Sequence, residues 1–216
     1  MARPISDRVP DFWAKTTTDG GPGISVFEHM VAVGCVARSL AENIPSLLRR
    51  FQLGAAEVGA LAALHDLGKI SPGFQRKCET WLLAYDLVNL ARNGCWDTAT
   101  EADHGRASHA AIQDFLVGQG NARSLVRYVA AALGAHHGRL KFLPSSRGIR
   151  PPAIRPLSER HSGIDWDGER TAVATKVWAY FQAGCVPESL VGESAAIWWL
   201  AGLTTVADWI GSDERY

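Results

Sequence analysis

The six-residue stretch Leu64-His65-Asp66-Leu67-Gly68-Lys69 constrains this chain more than any other. It closes an apolar run with helical spacing that begins at Ala55. An ionised carboxylate next to a hydrophobic core is strongly unfavourable without a partner. A metal cation removes this difficulty, because imidazole nitrogen and carboxylate oxygen are both good ligands. The stretch therefore predicts a helix end that contributes ligands to a metal site.

The composition favours one compact domain. The chain has 216 residues, 47% of them hydrophobic, and its 22 basic residues equal its 22 acidic ones. Any surface that binds a polyanion must therefore be local. The four cysteines form no CxxC pair, which argues against thiolate zinc and disulfides and indicates a reducing cytoplasm. The N-terminus does not look like a signal peptide. The longest apolar run, Ala195 to Ala207, is too short to span a bilayer.

Apolar residues at helical spacing predict an all-α fold, with no convincing strand pattern and no internal repeat. Ser25 and Glu28 have the spacing of a capping box at the first helix. A stretch rich in proline and basic residues, about 139–167, predicts a long irregular surface loop. The predicted helices cover 25–43, 55–67, 76–92, 104–116, 124–135, 169–182 and 193–210.

Further candidate ligands stand at helix starts and ends, where side chains from separate helices can converge on one cavity. Taken singly, each has a plainer explanation, such as a helix cap, a histidine favoured by the helix dipole or a solvated carboxylate. Their occurrence together, in this order along one chain, is much more specific evidence for a metal site. The candidates are His29, His65, Asp66, His104, His136, His137 and Asp208.

These motifs resemble the HD superfamily of metal-dependent phosphohydrolases, whose fold is a helical bundle with ligands converging from helix ends. More closely, they resemble the HD nuclease domain of CRISPR-associated protein three, the nuclease-helicase of type I interference. Gly68-Lys69, Phe74-Gln75, the double histidine before Gly138 and Asp208-Trp209 narrow the likeness to the nuclease. The likeness spans residues 28 to 209 and predicts a single HD nuclease domain over 1–216.

The resemblance implies a division of the ligands between two divalent metal ions, with Asp66 bridging them. The first ion would be held by His29, His65, Asp66 and Asp208, and the second by Asp66, His104, His136 and His137. Two ions about 3.5–4 Å apart can clamp the attacking and leaving oxygens of a phosphodiester. Because the set is rich in imidazole, Mn, Fe, Co, Ni or Zn suits it better than Mg, which prefers oxygen. The resemblance implies a redox-active or similar transition metal, so Mn, Fe, Co or Ni is expected, and Zn or Mg less so.

Catalytic roles are expected for Asp66, Lys69 and Ser108. The resemblance favours Lys69 as a group that reaches the phosphate or the leaving oxygen, although a solvated lysine after a helix is the plainer reading. Ser108 lies one turn after His104, so its hydroxyl is expected to bond either the site or only the backbone. Gly68-Lys69 is not part of a phosphate-binding loop, so no helicase domain is predicted within 1–216.

The basic loop after the double histidine is the candidate DNA surface, because its cations can neutralise backbone phosphates without reading sequence. A solvated loop is the alternative. Single-stranded DNA is the expected substrate, since a rigid duplex does not easily enter a cleft. Expected partners are a helicase domain or subunit and the CRISPR surveillance complex, with no membrane. The candidate DNA-binding residues are Arg139, Lys141, Arg147 and Arg150.

The leading hypothesis is therefore a metal-dependent DNA endonuclease, with exonuclease action left open. One alternative is an HD phosphohydrolase that acts on a small nucleotide in a closed pocket. The other is a non-catalytic docking module, which a degenerate ligand set would favour. No expected ligand position is missing from the sequence.

Overall fold

The computed structural model describes residues 11–92, 102–138, 164–192 and 194–213, and within them the fold is all-α, as predicted. The strand-like pairings there are two isolated bridges, Trp13 with Ser25 and Thr16 with Pro22. The α-helices are α1 (Val26–Glu42), α2 (Pro45–Phe51), α3 (Ala55–Ala63), α4 (Pro72–Gln75), α5 (Glu79–Ala84), α6 (Val88–Arg92), α7 (His104–Gly118), α8 (Arg123–Gly134), α9 (Trp166–Tyr180) and α10 (Ala195–Gly211). Short 3-10 helices cover Leu64–Lys69 and Glu188–Leu190.

Helix α1 begins at the predicted capping box. Ser25 accepts a hydrogen bond from the Glu28 amide, and the Glu28 side chain accepts one from the Ser25 amide. The helix packs along α3, and the two backbones approach closely at Gly34. A Cβ at Gly34 would lie 2.7 Å from the Gly59 carbonyl oxygen, so a larger residue would force these helices apart.

The 3-10 helix Leu64–Lys69 lies inside the bundle. It packs mainly against α7 and also contacts α1, α8 and α9, while α10 packs on α1 and α8. All six of its residues are buried, including the charged ones. Leu64 and Leu67 are fully enclosed and anchor this segment in the hydrophobic core. The core therefore fixes the position of a segment that carries charged side chains.

The predicted helix 55–67 is wrong in its last four residues. Helix α3 ends at Ala63 and the tighter 3-10 helix takes over, with a kink at Asp66 (φ −106°, ψ 16°). The reason is long-range, because Gly68 lies directly against α7. A Cβ on Gly68 would lie 2.2 Å from the Ser108 amide nitrogen.

Other boundaries also differ from the predictions. The stretch 76–92 contains two short helices, α5 and α6, separated near Asp86, whose φ of 56° is left-handed. Helix α2 is not among the predicted helices; it begins at Pro45, a position that suits proline because an amide there would have no helical partner. Helix α9 starts at Trp166, inside the predicted loop 139–167, while residues 139–163 lie outside the described ranges.

Across the described ranges, no helix combines the length and the apolar character that crossing a membrane requires.

Candidate metal centre

Asp66 is the centre of a cluster of histidine and aspartate side chains. It is 1% exposed and lies in the 3-10 helix that follows α3. The other members come from the first turn of α1, the same 3-10 helix, the start of α7, the turn after α8 and the last turn of α10. They are His29, His65, His104, His136, His137 and Asp208. The structure thus brings together all seven residues predicted as ligands.

A first group surrounds one oxygen of Asp66, Oδ2. The Nε2 atoms of His29 and His65 lie 2.9 and 3.3 Å from this oxygen. The same two nitrogens lie 3.6 and 3.5 Å from Oδ1 of Asp208. Each of these four residues offers a donor atom within 4.8 Å of the others. Two imidazoles and two carboxylates at this spacing could hold one cation.

A second group faces the other oxygen of Asp66, Oδ1. The Nε2 atoms of His104 and His136 lie 3.5 and 3.3 Å from it. His104 Nε2 also lies 2.7 Å from His137 Nε2, and the three histidines have donor atoms within 4.8 Å of one another. Asp66 therefore presents a separate oxygen to each group.

Backbone carbonyls orient two of the buried imidazoles. Nδ1 of His65 lies 3.0 Å from the Ala62 carbonyl oxygen, and Nδ1 of His136 lies 2.8 Å from that of Leu133. A proton on Nδ1 donates to the carbonyl, which leaves Nε2 as the ligand atom directed at Asp66. Both histidines are held as metal-ligating histidines usually are.

Several buried polar atoms at the centre of the cluster suit a cation. Among the described residues, His65 Nε2, His136 Nε2 and Asp66 Oδ1 have no hydrogen-bond partner. Buried polar atoms are rarely left without one. Because imidazole nitrogens and a carboxylate oxygen are metal donors, these residues fit a bound divalent ion.

The electrostatics of the cluster also favour added positive charge. Burial alone would lower the pKa of His65, but the carboxylates of Asp66 and Asp208 outweigh it and raise that pKa to about 9. Burial lowers the pKa of His104 to about 3, which leaves this imidazole neutral and able to ligate at pH 7. A proton on His65 thus offsets carboxylate charge that a metal ion would otherwise neutralise.

Lys69 lies at the cluster rather than in solvent. Its Nζ is 2.7 Å from Oδ2 of Asp66, and the residue is only 8% exposed. Burial tends to raise the pKa of Asp66, but His65 and Lys69 hold it well below its usual range. The Lys69 ammonium also lies 5.5 Å from the centre of the Phe74 ring. This lysine is therefore within reach of anything bound at Asp66.

Ser108 is fully buried, and its hydroxyl accepts a hydrogen bond of 2.8 Å from the Gly68 amide. This contact fits the backbone role considered for Ser108 in the sequence. It joins α7 to the segment that carries His65 and Asp66.

The predicted DNA-binding residues are outside the described ranges: Arg139, Lys141, Arg147 and Arg150. Within the described part of the chain, His109 belongs to neither donor group.

The sequence analysis assigns no role to Lys15 or Gln75, whose side chains hydrogen-bond to backbone carbonyls of Ser212 and Lys69 beside the cluster. Gln75 carried a signal, since it stands in the Phe74-Gln75 pair. Lys15 carried none, because it lies in no motif and in none of the predicted helices.

An all-α bundle with a buried aspartate shared between two groups of histidines defines the class of helical, HD-type metal-binding domains. A family model described as "Cas3, HD domain" matches residues 13–216. The chain therefore belongs to the Cas3 HD domain family, which confirms the resemblance seen in the sequence.

One curated relative is the CRISPR-associated endonuclease/helicase Cas3 of Thermus thermophilus. It is 29% identical over 212 residues, which cover 93% of this chain and 22% of the relative. The chain thus spans about a fifth of the length of that protein.

Solved structures share the fold. The Thermus thermophilus cas3 HD domain, crystallised in the presence of Ni²⁺, aligns with a TM-score of 0.62 and 24% identity, covering 95% of this chain and 77% of that one. A chain of a CRISPR RNA-guided surveillance complex in a pre-nicking state aligns with a TM-score of 0.68 and 20% identity, covering 96% of this chain and 25% of that one. At these identities the likeness shows the fold alone.

Proposed function

We propose that this chain is a metal-dependent nuclease domain that cuts single-stranded DNA in type I CRISPR interference by two-metal hydrolysis. The observation that carries the proposal is the placement of Asp66, whose two carboxylate oxygens face two separate donor groups. A shared carboxylate suits two cations held close enough to clamp one phosphodiester.

The division of ligands follows the two groups. His29, His65, Asp66 and Asp208 would hold one ion. Asp66 with the histidines of the second group would hold the other. When bound, such ions supply Lewis-acid activation of water and neutralise charge on the phosphate. Because imidazole dominates the donors, a transition metal suits them better than Mg. Among transition metals we favour Mn, Fe, Co or Ni over Zn, and the Ni²⁺ used with the Thermus domain agrees with this preference.

The protein's own side chains would orient the metal ligands, contact the phosphate and supply a proton to the leaving oxygen. His65 and His136 keep Nε2 directed at Asp66 because their Nδ1 atoms bond backbone carbonyls. Lys69 donates to Asp66, and a phosphate bound there would offer it a second acceptor. From that position the ammonium can stabilise phosphate charge or give a proton to the leaving oxygen. Ser108 holds the backbone of this segment through the Gly68 amide.

The depth of the site supports a single-stranded substrate. Asp66 and His136 are each 1% exposed, whereas His137 is exposed. Substrate would therefore approach from the side of the second group, and the scissile phosphate must reach below the surface. A flexible strand can bend into such a site more easily than a duplex can. The proposed DNA contacts at Arg139, Lys141, Arg147 and Arg150 follow His137 directly in the sequence.

We further propose that the chain works with a helicase domain or subunit and with the surveillance complex. The helicase named in the Thermus relative and the pre-nicking complex support this proposal. A cytoplasmic location suits the free thiols of Cys35, Cys78 and Cys185.

The test is hydrolysis of circular single-stranded DNA by metal-stripped protein, with Mn, Co, Ni, Zn or Mg added back and an Asp66→Ala variant as the control. A circle has no ends, so its cleavage reports endonuclease action. We expect a transition metal to restore cutting and the variant to remain inactive. Hydrolysis of small nucleotides without DNA cutting would contradict the proposal in favour of a small-nucleotide phosphohydrolase. Failure to hydrolyse either substrate or to bind metal would indicate a docking module.

A further inference from the structure

Residues 11–25 form a hairpin-like segment beside the metal centre. Its two arms are joined by backbone hydrogen bonds of 2.8 Å from Ala14 to Ile24 and from Gly23 to Lys15. A cleft of about 430 Å³ between this hairpin and the end of α10 also reaches His29. The hairpin is therefore a neighbour of the first donor group, and it is fastened on two sides.

The first attachment is made by Gln75, which is fully buried. Its side-chain carbonyl accepts from the Trp13 amide at 3.3 Å, and its Nε2 donates to the Trp13 carbonyl at 2.9 Å. The Trp13 indole donates to the Gln75 carbonyl at 3.2 Å. The same Nε2 also donates to the Lys69 carbonyl at 2.9 Å. One amide thus joins the hairpin to the backbone of the lysine that contacts Asp66.

The second attachment is made by Lys15, which is half-buried. Its ammonium donates to the carbonyl of Ser212, the C-cap residue of α10. The Ser212 hydroxyl in turn donates to Oδ1 of Asp208 at 2.8 Å. A lysine is well suited to a helix C-terminus because it offsets the negative end of the dipole. The contact links residues that are 197 positions apart in the sequence.

We propose that the hairpin 11–25 is a brace that positions Asp208 and Lys69 around Asp66. Lys15 and Gln75 act in it as positioning residues that need not touch substrate. The inference rests on the proposed function, since it assigns these contacts to the same site. Carboxylate ligands depend on such supporting bonds, whose loss typically weakens metal binding about 10- to 100-fold. If the hairpin were held only by the hydrophobic packing of Trp13, the hydrogen bonds made by Gln75 and Lys15 would have no role.

Metal binding tests the Lys15 attachment without any assay of DNA cutting. Metal-stripped protein is titrated with Mn²⁺ by calorimetry in a His104→Ala background, where the isotherm reports mainly the first donor group. We expect Lys15→Met to weaken this binding about 10-fold and Lys15→Arg to restore it, since Arg keeps a cationic donor. Lys176→Met is the matched control, because it removes an exposed lysine on α9 and should bind as the parent does.

The result that would overturn this part is parental affinity in Lys15→Met, or an equal loss in Lys15→Arg. Unfolding temperatures of the metal-free variants are compared alongside. If Lys15→Met unfolds below the assay temperature, Ser212→Ala is used instead, because it removes only the hydroxyl that contacts Asp208. Parental affinity in Ser212→Ala would then overturn the proposal in the same way.

The Gln75 attachment is tested by separating metal binding from turnover. Gln75→Glu keeps the shape of the side chain but replaces the amide that donates to Trp13 and Lys69 with a carboxyl group. Trp13→Phe removes the indole donor together with part of the buried ring. We expect kcat on single-stranded DNA to fall about 10-fold in Gln75→Glu, with metal affinity within twofold of wild type, and a smaller loss in Trp13→Phe. Unchanged kcat in both variants, or equal loss of metal affinity and kcat, would overturn a positioning role.

The brace and the proposed function fail in different ways. If the wild-type protein cuts no DNA but the Lys15 series shows the expected affinities, the brace stands and the function is wrong. If the wild type cuts DNA and the Lys15 variants all bind Mn²⁺ with parental affinity, the function stands and the brace is wrong.

Discussion

Gly68 donates its backbone amide to the Ser108 hydroxyl at 2.8 Å, and the two residues lie so close that no side chain fits on Gly68. A Cβ there would lie 2.2 Å from both the Ser108 nitrogen and the His104 carbonyl oxygen. These are backbone atoms, which cannot rotate away. The close contact holds the segment containing His65 and Asp66 against α7, which starts at His104.

We therefore expect Gly68→Ala to destabilise the protein by about 3 kcal/mol or more, since overpacking displaces backbone. Gly118→Ala is the matched control, because nothing lies within 4 Å of a Cβ at that position in α7. It should be neutral or stabilising by up to about 1 kcal/mol. Urea unfolding of the metal-free proteins measures both. Equal stability of the two variants would show that the close contact does not exist in solution.

Ser108→Ala tests whether this serine supports the backbone or acts on substrate. The change leaves the buried Gly68 amide without its acceptor, which costs about 1–3 kcal/mol. Thr175→Ala removes an exposed hydroxyl on α9 and should change stability by less than about 0.5 kcal/mol. A Ser108→Ala protein of wild-type stability that cannot cut DNA would contradict the supporting role and favour the catalytic role predicted from the sequence.

Lys69→Met is expected to lower kcat about 100-fold while the protein still binds metal. The ammonium is 2.7 Å from Asp66, so it is placed to meet a phosphate at that carboxylate. Removing a cation from the cluster should not weaken binding of divalent ions, because like charges repel. Lys77→Met, which removes an ammonium that lies 4.8 Å from the centre of the Phe74 ring, should retain most activity. A Lys69→Met enzyme with wild-type kcat would exclude a role in turnover.

His109 gives the metal-free protein a defined pH dependence. Burial lowers the pKa of His109 to about 4, below its usual value of 6.5. The unfolded chain therefore takes up the proton first as the pH falls. This contribution to stability is complete above pH 6.5 and is lost as the pH drops from 6.5 to about 4.

As the pH falls from 6.5 to about 4, the free energy of unfolding of His109→Gln should decrease by about 1.4 kcal/mol less per pH unit than that of the wild-type protein. The reason is that glutamine does not titrate. Urea unfolding at pH 7.0, 6.0 and 5.0 measures this difference. His29 and His104 titrate in both proteins, so their contributions cancel in the comparison. Parallel stability profiles for the two proteins would contradict a buried, neutral His109.

The sequence predicted the all-α class because apolar spacing is a local signal. The meeting of the ligands was expected because the candidates stand at helix starts and ends and because their order along the chain resembles the HD nuclease family. Apolar spacing marks the helices, and His29 and His104 mark helix starts. The change to a 3-10 helix at Leu64 could not be predicted in this way, since it depends on contact with α7 about 40 residues later. Local propensity favours continuing α3 through Asp66, and tertiary packing overrides it.

The supporting contacts were hidden for the same reason. Lys15 and Ser212 are 197 positions apart, and no local pattern pairs them. The break between α5 and α6 at the left-handed Asp86 could not be predicted either, because glycine or asparagine is the usual residue at such a position.

The most direct test of the central claim is the number of metal ions bound per chain, measured by calorimetry with Mn²⁺ on metal-stripped protein. If Asp66 is shared by two donor groups, the wild-type chain binds two ions and Asp208→Ala keeps one. Asp66→Ala should then lose or greatly weaken both, although it removes a single carboxylate. Two ions bound at wild-type affinity by Asp66→Ala would contradict the shared carboxylate, and so would a single ion bound by the wild-type chain.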